Sequence, residues 1–145
     1  KECIVARSAT RQVEERGPRV LVVDDLGYAR DALAELLRSA RYEVMAVGSG
    51  AEALEELEHH GADLVLSDIY MPRMTGWELA HEVRERHVNN TRGLPICIGL
   101  YSALLSGFSR EQLTRAQVDF AVTKLTDPDA ILDAIERALA WSEVR

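Results

Sequence analysis

Three carboxylates in this chain stand where apolar runs end. Val20-Leu21-Val22-Val23 leads into Asp24 and Asp25, and Leu64-Val65-Leu66-Ser67 leads into Asp68, forty-three positions beyond Asp25. If the two runs are neighbouring parallel strands, the acids meet at one edge of the sheet. Carboxylates about 5 Å apart repel by roughly 3 kcal/mol per pair at an effective dielectric near 20. A cluster of this kind calls for a cation. Mg²⁺ prefers a few carboxylates, phosphate oxygens and retained waters, which this set can supply. The chemistry implied is metal-assisted work on phosphate, with Asp68 as a carboxylate nucleophile. Read singly, each acid is also a turn or helix-capping aspartate. Two adjacent acids after a buried strand exceed what one cap requires.

Two further residues have the right types at corresponding places. Lys124 ends the run Phe120-Ala121-Val122-Thr123, and Ser102 ends the apolar run before it in the chain. A lysine at a strand end is ordinarily solvated, but beside three carboxylates it neutralises charge and contacts a phosphate oxygen. Ser102 offers a hydroxyl to the same oxygens, an assignment that rests on position alone. Phosphoryl transfer depends on in-line positioning and charge stabilisation more than on covalent machinery. A metal-binding acid pair, a nucleophile, a cation and a hydroxyl donor suffice for it.

The elements that must position these groups alternate along the chain. Short β-type runs are expected at 20–24, 43–47, 63–67, 95–100 and 118–123. Between them, apolar residues recur at helical spacing: Leu33, Leu36, Leu37 and Ala40; Ala53, Leu54 and Leu57; Trp77, Ala80 and Val83; Ile131, Ile135 and Leu139. Ser49 with Glu52, Thr75 with Glu78 and Ser109 with Gln112 fit capping boxes. Asp127-Pro128 reads as an N-cap followed by proline at the first helical position, and Gly61 as a helix stop. Alternating strands and helices imply parallel pairing through right-handed crossovers. Such a sheet binds ligands beyond the carboxyl ends of its strands, where Asp24, Asp25, Asp68, Ser102 and Lys124 all fall.

At 145 residues the chain suits one ordinary domain, and 47% apolar residues suit a folded core. Its net charge of −7 argues against a nucleic-acid surface, which needs a basic stripe. No apolar stretch reaches the length of a membrane span, and no signal peptide is visible. Cys3 and Cys97 lack ligand spacing and read as reduced thiols of a cytoplasmic protein. Residues 1–18 read as a charged tail or linker, with a short helical turn around 9–15, residues 19–142 as the domain and 143–145 as its C-terminal end. The sequence begins with Lys1 and not Met, which fits a segment of a longer protein. The four histidines have no spacing that suggests a metal site.

Val20-Leu-Val-Val-Asp24-Asp25, Leu64-Val-Leu-Ser-Asp68-Ile-Tyr-Met-Pro72-Arg-Met-Thr-Gly76, Ser102-Ala103 and Lys124 together resemble a response-regulator receiver domain of two-component signalling. The resemblance implies a flavodoxin-like α/β fold, a doubly wound (βα)5 parallel sheet with strand order 2-1-3-4-5. It makes Asp68 the phosphoacceptor. Asp25, Asp68 and the backbone carbonyl of Tyr70 would bind Mg²⁺, with Asp24 helping through water. Ser102 and Lys124 would contact the phosphoryl group. The donor implied is a phosphohistidine on a histidine kinase or phosphotransfer domain, followed by slow self-hydrolysis, with no catalysis on a separate substrate. A leader before residue 19 suits a linker from a hybrid kinase. The family's usual partner or dimer face would here include Phe108, Leu113 and Ala121; the output, and whether a homodimer forms, are not legible.

The sequence departs from the family in three places. Leu125 follows Lys124 where proline is usual. A cis bond costs about 3 kcal/mol before a non-proline residue against roughly 0.5–1 before proline, so a trans bond or a strained cis bond is expected. Ala121 stands where the family usually carries Tyr or Phe, and Phe120 must face the other side of the strand. Activation is therefore expected to travel through loop and fourth-helix movement. The interval from Asp68 to Ser102 carries surplus residues around 86–93, at the end of the sheet remote from the acids. Tyr70 is a candidate shield of the phosphoryl group, and equally an exposed loop tyrosine.

Three other functions compete with the switch. A degenerate receiver that binds partners without phosphorylation would suit Ala121 and Leu125. An aspartyl-phosphate phosphatase would need an acid two residues after the nucleophile, where Tyr70 stands. A dinucleotide site would need a glycine-rich turn after the first strand, which is missing.

Overall fold

The computed structural model describes residues 17–103, 109–124 and 126–144. Cys3, the expected turn at 9–15, Phe108 and the peptide bond between Lys124 and Leu125 lie outside the described residues.

Five strands form one parallel sheet in the order β2-β1-β3-β4-β5. They are β1 (Arg19–Val23), β2 (Glu43–Val47), β3 (Leu64–Asp68), β4 (Cys97–Ser102) and β5 (Phe120–Thr123). Between and after them run α1 (Gly27–Ser39), α2 (Gly50–His59), α3 (Gly76–Glu85), α4 (Arg110–Arg115) and α5 (Pro128–Val144). Every residue of β3 and β4 is buried, which explains their near-continuous apolar character: helices cover both faces.

Period-two alternation splits the core into two layers. Leu21, Val23, Val65, Ile98 and Leu100 pack with Leu54 and Leu57 of α2 and Leu79 and Val83 of α3. Val20, Val22, Leu64, Leu66 and Tyr101 face the other way, onto Leu33 and Leu37 of α1 and Ile131, Ile135 and Leu139 of α5. The expected helical stripes are these buried faces, except for Ala40, which lies exposed just past the end of α1.

The caps fix where the helices begin. Thr75 and Ser109 complete reciprocal capping boxes with Glu78 and Gln112. Ser49 accepts the Glu52 amide as expected, whereas the Glu52 carboxylate reaches Gly48 N–H instead of closing the box. Asp127 accepts the Asp129 amide at the start of α5. Gly61, at φ +71°, turns the chain out of α2, a conformation that costs glycine little.

Boundaries moved by a residue or two, each for a local reason. β4 begins at Cys97 and not 95, because Pro95 has no N–H to give and the Ile96 amide turns back to Val88. β5 begins at Phe120 because Val118 N–H closes the preceding helix on Leu113 O. Gly17 and Pro18, assigned from sequence to the leader, already hydrogen-bond to Arg41 and Glu43 beside β2. α5 runs to Val144, past the expected domain end at 142.

The surplus residues before β4 form a small loop held by an Asn89–Pro95 bridge and by the Thr91 hydroxyl donating to Asp63. Asp63 precedes β3, so this loop sits at the amino ends of the strands, opposite Asp68. Among the described residues no helix is long and apolar enough to cross a membrane.

Candidate functional site

Parallel pairing brings the strand ends together. β1 lies beside β3 with Val23 opposite Ser67, and β3 lies beside β4 with Asp68 opposite Tyr101. Asp24 and Asp25 therefore emerge next to Asp68. One oxygen from each of these three residues lies within 4.8 Å of the others. Asp24 and Asp68 are buried and Asp25 is exposed, so the cluster opens to solvent on the Asp25 side.

The three acids are held differently. Asp24 is fully buried, and both its oxygens are engaged. Oδ1 accepts the Leu26 amide at 3.0 Å, which makes the turn into α1. Oδ2 accepts the Tyr101 hydroxyl at 2.7 Å and the Lys124 ammonium at 3.0 Å. Asp68 Oδ1 accepts the Ile69 amide at 2.9 Å, and its Oδ2 lies 3.4 Å from Lys124 Nζ.

Lys124 follows directly after β5, whose last residue, Thr123, pairs with Ser102 of β4; its backbone N–H donates to Ser102 O at 2.8 Å. Its ammonium also lies 4.8 Å from the centre of the Tyr101 ring, a cation–π distance.

The electrostatics follow from burial and from this pairing. Burial pushes the Asp68 carboxyl above its ordinary value and Asp24 adds to the push, while Lys124 and the Ile69 amide oppose it. For Lys124, burial works against the charge, but the hydrogen bond and negative charge of Asp24, reinforced by Asp68, outweigh it and raise the amine. Burial, then the hydrogen bond to Asp24, pushes the Tyr101 phenol far up, so it stays a hydroxyl donor. One ammonium thus pairs with two of the three clustered acids, Asp24 and Asp68. The donor set is all oxygen, which suits a hard divalent cation such as Mg²⁺.

The loop after Asp68 is drawn tightly under the site. Gly76 N–H donates to Ile69 O at 2.8 Å, and a Cβ at Gly76 would strike the Asp68 carbonyl oxygen. Glycine is needed there for close approach. Tyr70, in the same loop, has a side chain 68% exposed.

The structure brings together Asp24, Asp25, Asp68 and Lys124 as the sequence suggested, and places Ser102 buried at the end of β4. Ala121 packs partly buried against the α2–α3 layer, while Phe120 belongs to the opposite layer, filling the space over Gly99. Tyr101 was missed. Its signal was a phenol in a fully apolar strand one residue before the site, since a buried tyrosine hydroxyl needs a partner.

Residues 20–136 match the family model described as the response regulator receiver domain. The chain belongs to that family. It is a domain of phosphorylation-based signalling in two-component systems. It is 38% identical over 96 residues to the rice (Oryza sativa subsp. japonica) "Two-component response regulator ORR5", covering 65% of this chain and 70% of that one. It is 36% identical over 119 residues to the "Transcriptional regulatory protein PdtaR" of Mycobacterium tuberculosis, covering 81% of this chain and about half (53%) of that one. Among solved structures, this receiver is similar to chemotaxis response regulator CheY4 of Vibrio cholerae, at 26% identity and TM-score 0.70 over 83% of this chain and 98% of that one. A LuxR-family DNA-binding response regulator from Staphylococcus aureus shares the fold at 22% identity, TM-score 0.74, covering 85% of this chain and 99% of that one.

Proposed function

We propose that this receiver accepts a phosphoryl group on Asp68 from the phosphohistidine of a histidine kinase or phosphotransfer domain, in a Mg²⁺-dependent reaction. The observation that carries this reading is the pocket in which three acids lie within 4.8 Å of one another and the Lys124 ammonium pairs with two of them, Asp24 and Asp68. Asp25, Asp68 and the Tyr70 carbonyl would hold the ion, with Asp24 acting through water. When bound, the ion supplies positive charge to the oxygens of the transferring group.

The chain's own residues supply the rest. The Ile69 amide holds Asp68 Oδ1, leaving Oδ2 beside Lys124 as the attacking oxygen. That oxygen bonds to phosphorus as the phosphorus–nitrogen bond of the donor histidine breaks, and the imidazole keeps the electron pair. Lys124 and Ser102 then donate to the phosphoryl oxygens as charge collects on them. Later attack by water returns Asp68 and inorganic phosphate. The receiver acts on no separate substrate, and it works in the cytoplasm.

The test is labelling of the full chain by a small phosphodonor such as acetyl phosphate. The reading requires labelling that depends on Mg²⁺ and vanishes in Asp68→Asn. Undiminished labelling of Asp68→Asn would remove Asp68 from the role. No labelling of the wild type would favour a module that works without phosphorylation, the reading that Ala121 and Leu125 suit.

A further inference from the structure

We propose that Tyr101 is a positioning residue that keeps the buried Asp24 carboxylate satisfied while Lys124 turns from Asp24 to the phosphoryl group on Asp68. The inference rests on Asp68 being the phosphoacceptor, and it concerns how the pocket tolerates the change. Lys124 is shared in the resting protein, 3.0 Å from Asp24 Oδ2 and 3.4 Å from Asp68 Oδ2. A phosphoryl group on Asp68 extends towards solvent and carries more negative charge than the carboxylate it replaces. The ammonium is drawn to it, and its contact with Asp24 loosens.

Asp24 has no exposed surface, so bulk solvent cannot take the ammonium's place at Oδ2, and any water it receives is one held on the ion. Its Oδ1 is committed to the Leu26 amide. Were Lys124 the sole donor to Oδ2, its departure would leave a buried charged oxygen unpaired, and that cost would oppose phosphorylation. The Tyr101 hydroxyl prevents this. It donates to the same Oδ2 at 2.7 Å from a buried ring on a central strand, so it cannot wander when Lys124 moves. The ring adds a second element. With its centre 4.8 Å from the ammonium, it offers a π face beside the path Lys124 takes. Tyr101 thus touches Asp24 and Lys124, and it acts through both without touching the phosphoryl group.

Tyr101→Phe separates the hydroxyl from the ring, because the aromatic face and the volume remain. The measurements are the labelling rate of the full chain with acetyl phosphate at saturating Mg²⁺, Mg²⁺ affinity by calorimetry, and the same substitution in an Asp24→Asn background. The maximal labelling rate of Tyr101→Phe is expected to fall about 10- to 150-fold, the factor that one lost hydrogen bond to a charged group supplies. Mg²⁺ affinity and the KM for acetyl phosphate should stay within about twofold, and the effect should vanish beside Asp24→Asn, where the oxygen to be held carries no charge. An undiminished maximal rate overturns the inference. An equal fall in both backgrounds also overturns it, because a merely structural tyrosine behaves that way. A wild type that takes no label removes the phosphoacceptor reading together with this one, whereas a labelled wild type with an unaffected Tyr101→Phe removes only the inference.

Discussion

Replacing Lys124 by methionine removes the ammonium that pairs with the Asp24 and Asp68 carboxylates while keeping most of the side-chain volume. At 3.0 and 3.4 Å, its two ion pairs are worth about 5 kcal/mol each at an effective dielectric near 20, before the cost of drying the ammonium. Breaking a buried pair by removing one partner costs about 3–5 kcal/mol net. The Lys124 side chain retains 17% exposure, so the lower end, about 3 kcal/mol, is expected in metal-free protein. Mg²⁺ should then do part of the lysine's work. An ion at 100 times its Kd adds about 2.7 kcal/mol to the folded state, and it should bind more tightly once no ammonium competes for the same oxygens. Urea unfolding of wild type and Lys124→Met, in EDTA and in saturating Mg²⁺, reads both terms. The gap between the proteins should close by about half or more when Mg²⁺ is added. A loss below about 1 kcal/mol in EDTA, or a gap that Mg²⁺ leaves unchanged, would refute the view that cations make this cluster tolerable.

Three further outcomes are expected. The raised Asp68 carboxyl means that the folded state holds this proton more tightly than the unfolded chain does. Asp68 therefore opposes folding above its raised pKa, and the penalty is relieved as pH falls towards 3.8; in EDTA, wild type should gain stability relative to Asp68→Asn over that fall, and a relative loss would contradict the assignment. Gly76→Ala pushes a Cβ against the Asp68 carbonyl oxygen and should cost about 1–3 kcal/mol in urea unfolding, with a neutral result speaking against a tight loop. If the exposed Tyr70 folds over the phosphoryl group, Tyr70→Ala should shorten the lifetime of the phosphorylated protein; an equal lifetime would leave Tyr70 an ordinary loop residue.

Much of this was legible in the sequence because the strongest signals were redundant. β1 and β3 are apolar runs that each stop at an acid, and buried parallel strands must look that way. The Thr75 and Ser109 caps sit where the side-chain spacing demands, and the alternation of Ala121 with Phe120 correctly put the aromatic on the opposite layer. What could not be read is which of two adjacent acids is buried. Asp24 and Asp25 are chemically identical in sequence, and only the turn into α1, with Leu26 N–H on Asp24 Oδ1, turns one inward and leaves the other in solvent. Tyr101 was illegible as a site residue for a related reason: its partner lies seventy-seven positions away and becomes its neighbour only through two strand pairings. The β4 and β5 starts shifted because backbone amides at Ile96 and Val118 serve the preceding loop and helix, a choice that residue type does not announce.

The claim on which all else depends is that acids distant in sequence form a single cation site. A calorimetric titration of the full chain with Mg²⁺ tests it directly. One ion should bind the wild type, with affinity falling about tenfold or more in both Asp25→Asn and Asp68→Asn, since each removes a charged donor. Affinity unchanged in either variant would contradict the account.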